Sequence, residues 1–589
     1  MSSGLAADYA PAQENFFKPV PGFVAPSPGE HPRLLFRKGD LAILRERAKT
    51  ADGNMLIERT KFLLGGADKV REGKDFTMFD AAAFGFLYQI TGDKKYTALA
   101  KGSQEHFWTQ GTTDRDDRYS LTPPNEPMRA GPSLYAVALA YDLCYDGWDA
   151  EYRQEQAQKI FTWKGRCKKR GGEISTESMA LHADSPNPVS NHYGLQVGGI
   201  GLTLLALGQD PELTDPQRTR VKELYETGVF KQARKVLTED FGQTGYFAEH
   251  GGPGVIATTW TMTPWLKAER VCAGRDWLSD PKWPNPEWMS LHFVMETIVH
   301  DNTPMYTNPC AGRGGYGGDV LEQNGGHHAG YFSQGFGAIQ ESRKPAMLWV
   351  YNTFVEPYEK QQYKDAFPSP ETKSFDTFNY PHRPLYAFLD WPFDVKPENP
   401  ERTIPRAVGD MHYGQFIFRN RWKDKDDTIV CITFGARTSD KDPRRSMVWG
   451  LSQQLTFGSV APVTKGTGKI GQAVIDYWQP AEDGSGVVSA GGTSIGVDYS
   501  LASGADAVIV MVGKGADGKL GGKPDATKTK KQTIEAGGTT FQILTLSATG
   551  KHPDAIASGN KVTLGNQAIS FDGKNIVFAK IVGAPKLTQ

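Results

Sequence analysis

Ser190-Asn191-His192-Tyr193-Gly194-Leu195-Gln196 runs directly into Val197-Gly198-Gly199-Ile200-Gly201-Leu202-Thr203-Leu204-Leu205-Ala206-Leu207. The apolar run reads as a buried helix, so the polar cluster ahead of it is a helix start. Ser190 or Asn191 can cap the first turn. That leaves an amide, an imidazole and free backbone N–H groups at the positive end of a helix dipole, an end suited to an anion. The plainer reading is that Asn191 only caps and His192 only packs.

Working outward, helical patterns dominate as far as about residue 360. They include Asp80 to Ile90, Lys95 to Phe107, Gly131 to Asp142, Glu151 to Trp163, Gln217 to Leu237, Ile256 to Cys272, Glu287 to His300 and Gly330 to Ile339. Asp40 looks like the N-cap of a further helix, Leu41 to Arg47. Long loops rich in Gly, Pro, Asn and Asp separate these segments. Successive amphipathic helices without strands predict a large all-α domain with a site built from its loops. A ring of helical hairpins and a solenoid both satisfy the pattern.

Between Phe367 and Arg406 the chain turns Pro- and aromatic-rich, and beyond it the period becomes alternating. Gln415–Arg419, Thr428–Thr433, Met447–Phe457, Ala507–Val512, Phe541–Leu546 and Ile569–Phe571 read as strands, with a hairpin turn at Asp572-Gly573-Lys574-Asn575. Many short strands at near-regular spacing predict an antiparallel sandwich. The expected division is an extended segment at 1–30, a helical domain at 31–366, a packed linker at 367–406 and a β-sandwich at 407–589.

The 589 residues exceed one ordinary core. Lys plus Arg (66) nearly balance Asp plus Glu (67), so no global field points to nucleic acid or a membrane, and an anionic ligand must be met by a local patch. Aromatic residues make up 11%, including thirteen Trp and twenty-two Tyr, a composition that leans toward stacking on sugar rings. The five cysteines are widely spaced, with no CxxC pair, and imply neither a disulfide framework nor a zinc ribbon. No apolar stretch is long enough to span a membrane, and Met1 to Gln13 lacks the pattern of a signal peptide. The expectation is a secreted or periplasmic protein whose export signal lies outside this sequence.

His31-Pro32-Arg33-Leu34-Leu35-Phe36, the helical domain, the Asn-His helix start and the strand opening Gly414-Gln415-Phe416-Ile417-Phe418-Arg419-Asn420-Arg421-Trp422 together resemble the heparinase II/III and alginate-lyase superfamily of polysaccharide lyases. The likeness runs from about residue 31 to the end. It implies an N-terminal (α/α) toroid, an incomplete helical barrel, followed by an antiparallel β-sandwich. Ser133 to Leu143 resembles a toroid helix, in which Asp142 reads as a buried hydrogen-bond acceptor rather than a catalyst.

A uronate lyase must take the C5 proton next to a carboxylate and expel the oxygen on C4, so donors must pair with that carboxylate as charge builds. Asn191 and His192 offer such donors, and the resemblance implies this neutralising role for them. Acid and base work calls for Tyr and His within hydrogen-bond reach. Gly245-Tyr246-Phe247-Ala248-Glu249-His250-Gly251-Gly252-Pro253-Gly254 is the best source of both. Tyr246 lies 55 residues beyond Asn191, where the resemblance to heparinase-like lyases implies the catalytic Tyr. His250 instead matches the Asp-His segment of chondroitin and hyaluronate lyases.

Substrate contacts are expected from His327, His328 and Tyr331 in the Glu322–Tyr331 cluster, from Arg313 in a glycine-rich run, from His412 and Tyr413 ahead of the first sandwich strand, and from Arg437. The loop Gly435–Met447, where the superfamily commonly carries a His-x-His zinc and catalytic element, contains no histidine. No metal ligand set, zinc or calcium, and no cofactor is therefore predicted. The leading expectation is β-elimination on an acidic, uronate-containing polysaccharide. The alternatives are a glycoside hydrolase, for which Glu249, Asp319 and Glu322 are the available loop acids, and a non-catalytic glycan-binding protein.

Overall fold

The computed structural model describes residues 17–73, 76–112, 119–169, 171–182, 191–242, 244–247, 261–278, 286–306, 331–363, 380–434, 445–451, 454–458, 474–513 and 525–581. Helices fill the first two thirds and antiparallel sheets the rest, which is the class expected. Asp80–Thr91 and Lys95–Gln110 form a tight helical hairpin that packs on Pro127–Cys144. Every residue of Pro127–Cys144 is buried, Arg129, Ser133 and Asp142 among them, as befits a mostly apolar helix at the centre of the core.

That helix crosses Asn191–Leu207 at backbone contact. A Cβ on Gly199 would stand 2.4 Å from the carbonyl carbon of Gly131, and one on Gly131 would stand 2.8 Å from Cα of Gln196. Paired glycines therefore set the approach of the two central helices. Helix Arg383–Asp390, inside the Pro- and aromatic-rich stretch, returns to this core through Leu385, Tyr386 and Phe388, and the Tyr386 and Tyr135 hydroxyls meet at 2.7 Å.

Two local expectations are corrected. Asp40 does not cap Leu41–Arg47 with its side chain; its carboxylate accepts from the backbone N–H of Arg37 and closes the preceding turn. The helix expected over Glu287–His300 stops at Glu296, and Thr297–His300 pairs as a strand with Thr303–Tyr306. β-Branched Thr297, Ile298 and Val299 favour the extended chain, and Asp301-Asn302, both at positive φ, supply a two-residue hairpin turn.

Three antiparallel sheets follow. A five-stranded meander runs from Ala407–Asp410 through Gln415–Arg419, Thr428–Phe434 and Arg445–Leu451 to Gln454–Gly458. A six-stranded sheet begins at Tyr477–Pro480 and carries Thr529–Ala536 on its far edge. A four-stranded sheet spans Ala555–Phe578. Phe416, Phe418, Ile432 and Trp449 face Val488, Ile495, Ile509 and Leu544 across the first gap. Val508, Val510, Phe541 and Ile543 face Val562, Leu564 and Ile569 across the second. The six-stranded sheet is thus buried on both faces, and the expected sandwich has a third layer. The other face of the five-stranded sheet, through Ile417, Ile429 and Cys431, packs on Leu291, Met295, Met347 and Phe354 of the helical region.

Candidate active site

Asn191 is the first residue of its helix and is buried, while His192 is half-buried. The helix start is pinned from two sides. Gln196 donates from Nε2 to the carbonyls of Met179 and His182, both at 2.8 Å, and Gly194 accepts from the Thr261 hydroxyl at 3.1 Å. Thr261 opens the segment that follows the Tyr246 loop.

Tyr246 sits on a small hairpin in which Phe241 bridges Phe247 and the Gly242 N–H donates to the Tyr246 carbonyl at 2.9 Å. Two glycines make the hairpin fit. Gly245 has φ +74°, and a Cβ there would stand 2.0 Å from the Trp288 carbonyl oxygen. At Gly242 a Cβ would stand 1.8 Å from Oδ2 of Asp410. The hairpin is thereby wedged between helix Trp288–Glu296 and the first turn of the sheets.

That turn brings His412 and Tyr413. Asp410, fully buried, takes their backbone N–H groups on Oδ1 at 3.0 and 2.8 Å, while Oδ2 faces the N–H and hydroxyl of Thr244 at 3.3 and 3.4 Å. Burial pushes the Asp410 carboxyl above the ordinary range, and the N–H groups of Tyr413 and Thr244 and the His292 ring oppose the rise. Tyr413 packs on Tyr246, both almost wholly buried, and the Tyr413 hydroxyl donates to the Glu239 carbonyl. The structure therefore joins Tyr246, His412 and Tyr413, residues 166 or so apart in sequence, in one seam between helices and sheet.

Four members of this seam have no counterpart among the sequence candidates: His292, Glu296, Asp410 and Gln415. His292 stacks at a tilt on Tyr246, with ring centroids 5.4 Å apart. Its Nδ1 lies 3.0 Å from the Thr244 carbonyl, and Nε2 lies 3.2 Å from Oε1 of Glu296. Gln415 donates to the same Glu296 oxygen at 2.6 Å. The available signal was His292 and Glu296 at i, i+4 in an otherwise apolar helix, a polar pair on one buried face.

Nearby, Arg419 crosses from the sheet to the Thr297 carbonyl at 2.7 Å, with Asp427 at 3.5 Å and the Trp422 ring beneath it. Burial pushes its guanidinium down to about 10 against the pull of Asp427. At the far end of the helical core Asp142 is the buried acceptor expected, taking His31 Nδ1 at 2.7 Å and the N–H groups of Arg33 and Leu34.

His250, Arg313, His327, His328 and Arg437 lie outside the described residues, as do Glu249, Asp319 and Glu322; Tyr331 begins the short helix Tyr331–Gly335. Among the described residues no cluster of three His, Cys, Asp or Glu side chains forms a metal site, four cysteines are free thiols, and no helix is long and apolar enough to cross a membrane.

Comparison with known proteins finds partial similarity to several polysaccharide lyases. It is 27% identical over 170 residues to an exo-oligoalginate lyase of Saccharophagus degradans, a match covering 28% of this chain and 21% of that enzyme. The chain thus spans about a fifth of the length of the curated relative it matches. Among solved structures it is similar to a heparinase III (12% identity, 85% and 82% of the two chains, TM-score 0.38) and to a heparan sulfate lyase mutant from Pedobacter heparinus (9%, 92% and 94%, TM-score 0.38). A Streptomyces coelicolor chondroitin AC lyase in complex with chondroitin sulphate is also similar (12%, 91% and 76%, TM-score 0.33). No family model matches.

Proposed function

We propose that the chain is a polysaccharide lyase that cleaves an acidic, uronate-containing polysaccharide by β-elimination. The observation that carries this reading is the fixing of Tyr246, on a glycine-framed hairpin, between the helical region and the His412-Tyr413 turn of the sheets. Asn191 and His192 neutralise the uronate carboxylate from the helix start, which makes the C5 proton removable. Tyr246 and His250 exchange protons with C5 and with the departing C4 oxygen. Arg313, His327, His328, Tyr331, His412, Tyr413 and Arg437 contact the glycan. The 170-residue likeness to an exo-oligoalginate lyase supports the same class.

Elimination leaves a C4=C5 double bond conjugated to the carboxylate, so ultraviolet absorbance during incubation with alginate, glycosaminoglycans and ulvan tests the reading. A rise on any of them is the expected result and names the glycan. New reducing ends without that rise would overturn it in favour of hydrolysis.

A further inference from the structure

We infer that His292, which holds the Thr244 carbonyl, is the positioning residue of Tyr246; the assignment of that Tyr to proton transfer rests on the lyase reading above. A carbonyl only accepts, so the 3.0 Å contact with Thr244 puts a proton on His292 Nδ1. On the other side of the ring Nε2 lies 3.2 Å from a Glu296 oxygen that Gln415 holds at 2.6 Å.

Thr244 is consequently gripped from both sides. His292 on the helix holds its carbonyl, and Asp410 on the sheet holds its N–H and hydroxyl. Tyr246 follows two residues later with its ring against the imidazole. The groups facing His292 are Glu296 from its own helix, Tyr246 and Thr244 from the hairpin, and Asp410 and Gln415 from the sheet; the Arg419 guanidinium lies one turn further on, at Met295 and Thr297.

Backbone hydrogen exchange of residues 241–247, read beside turnover, tests this. His292→Leu removes the bond, and exchange in the hairpin should rise about threefold to tenfold, the worth of one hydrogen bond, while kcat falls with KM little changed. His292→Asn keeps a donor toward Thr244 and should bring both exchange and kcat back near wild type. Unchanged hairpin exchange in His292→Leu would overturn the inference whatever the activity. Faster exchange together with no absorbance from the wild-type protein on any uronate polysaccharide would leave the clamp standing and reject the lyase reading instead.

Discussion

Gly242→Ala is a one-carbon change aimed at the seam. The added Cβ would lie 1.8 Å from Oδ2 and 2.3 Å from Cγ of Asp410, both buried, so the carboxylate or the hairpin must retreat by more than about 1 Å to reach ordinary contact. Asp410 holds the His412 and Tyr413 N–H groups on one oxygen and faces Thr244 with the other. Retreat loosens at least two bonds to a charged acceptor, worth roughly 1.5–3 kcal/mol each, and adds an overpacking cost of about 1–3 kcal/mol. Even the low end of about 4 kcal/mol lowers the unfolding midpoint by several degrees. Gly39→Ala is the control, because a Cβ there meets nothing within 4 Å. Thermal unfolding followed by circular dichroism should show a clear loss for Gly242→Ala and none for Gly39→Ala, with elimination falling at least tenfold in the former. Equal midpoints and equal turnover in the two variants would refute the wedge geometry.

Asn191→Ala should cut elimination at least about 100-fold, the scale of losing one donor to a developing oxyanion, in a protein whose circular dichroism is unchanged. Gly199→Leu should abolish soluble folded protein, since its first side-chain carbon already stands 2.4 Å from Gly131; recovery of a native chromatographic profile would contradict the helix crossing. For Asp210, burial raises the carboxyl, but His31 and Arg33 outweigh it and hold the folded group below its ordinary value. A depressed folded pKa gives stability that is present above the unfolded value of about 3.9 and is lost as pH falls through the folded one. Asp210→Asn should therefore flatten the acid side of the stability curve in urea titrations at successive pH values, and an unchanged slope would count against the pairing.

Much of this was legible in the sequence. Pro127–Cys144 and Asn191–Leu207 are dominated by apolar residues over several turns, and the strands Gln415–Arg419 and Thr428–Phe434 announce themselves by composition. The helix start at Asn191 followed from polarity meeting an apolar run; Tyr246 was read only as part of a glycine-flanked stretch, and its hairpin pairing through Phe241 and Phe247 was not foreseen. The clamp around Thr244 was illegible for a physical reason: His292 and Glu296 look like interruptions of an apolar helix, and only the return of Asp410 and Gln415 from the sheet gives them partners. The third sheet layer was hidden likewise, because alternation marks a strand's faces without saying which sheet covers each. At Thr297–His300 local β-branching defeated a helical pattern that extended too far.

The bond between Thr244 and Asp410 spans 166 residues. A chain delivered from its N-terminus forward therefore completes the Tyr246 hairpin on the helical side well before the carboxylate that fastens it has emerged. Until the first sheet turn arrives, Thr244 has only its helical partner. The Tyr246 hairpin thus gains its second anchor only after the chain has been delivered as far as residue 410.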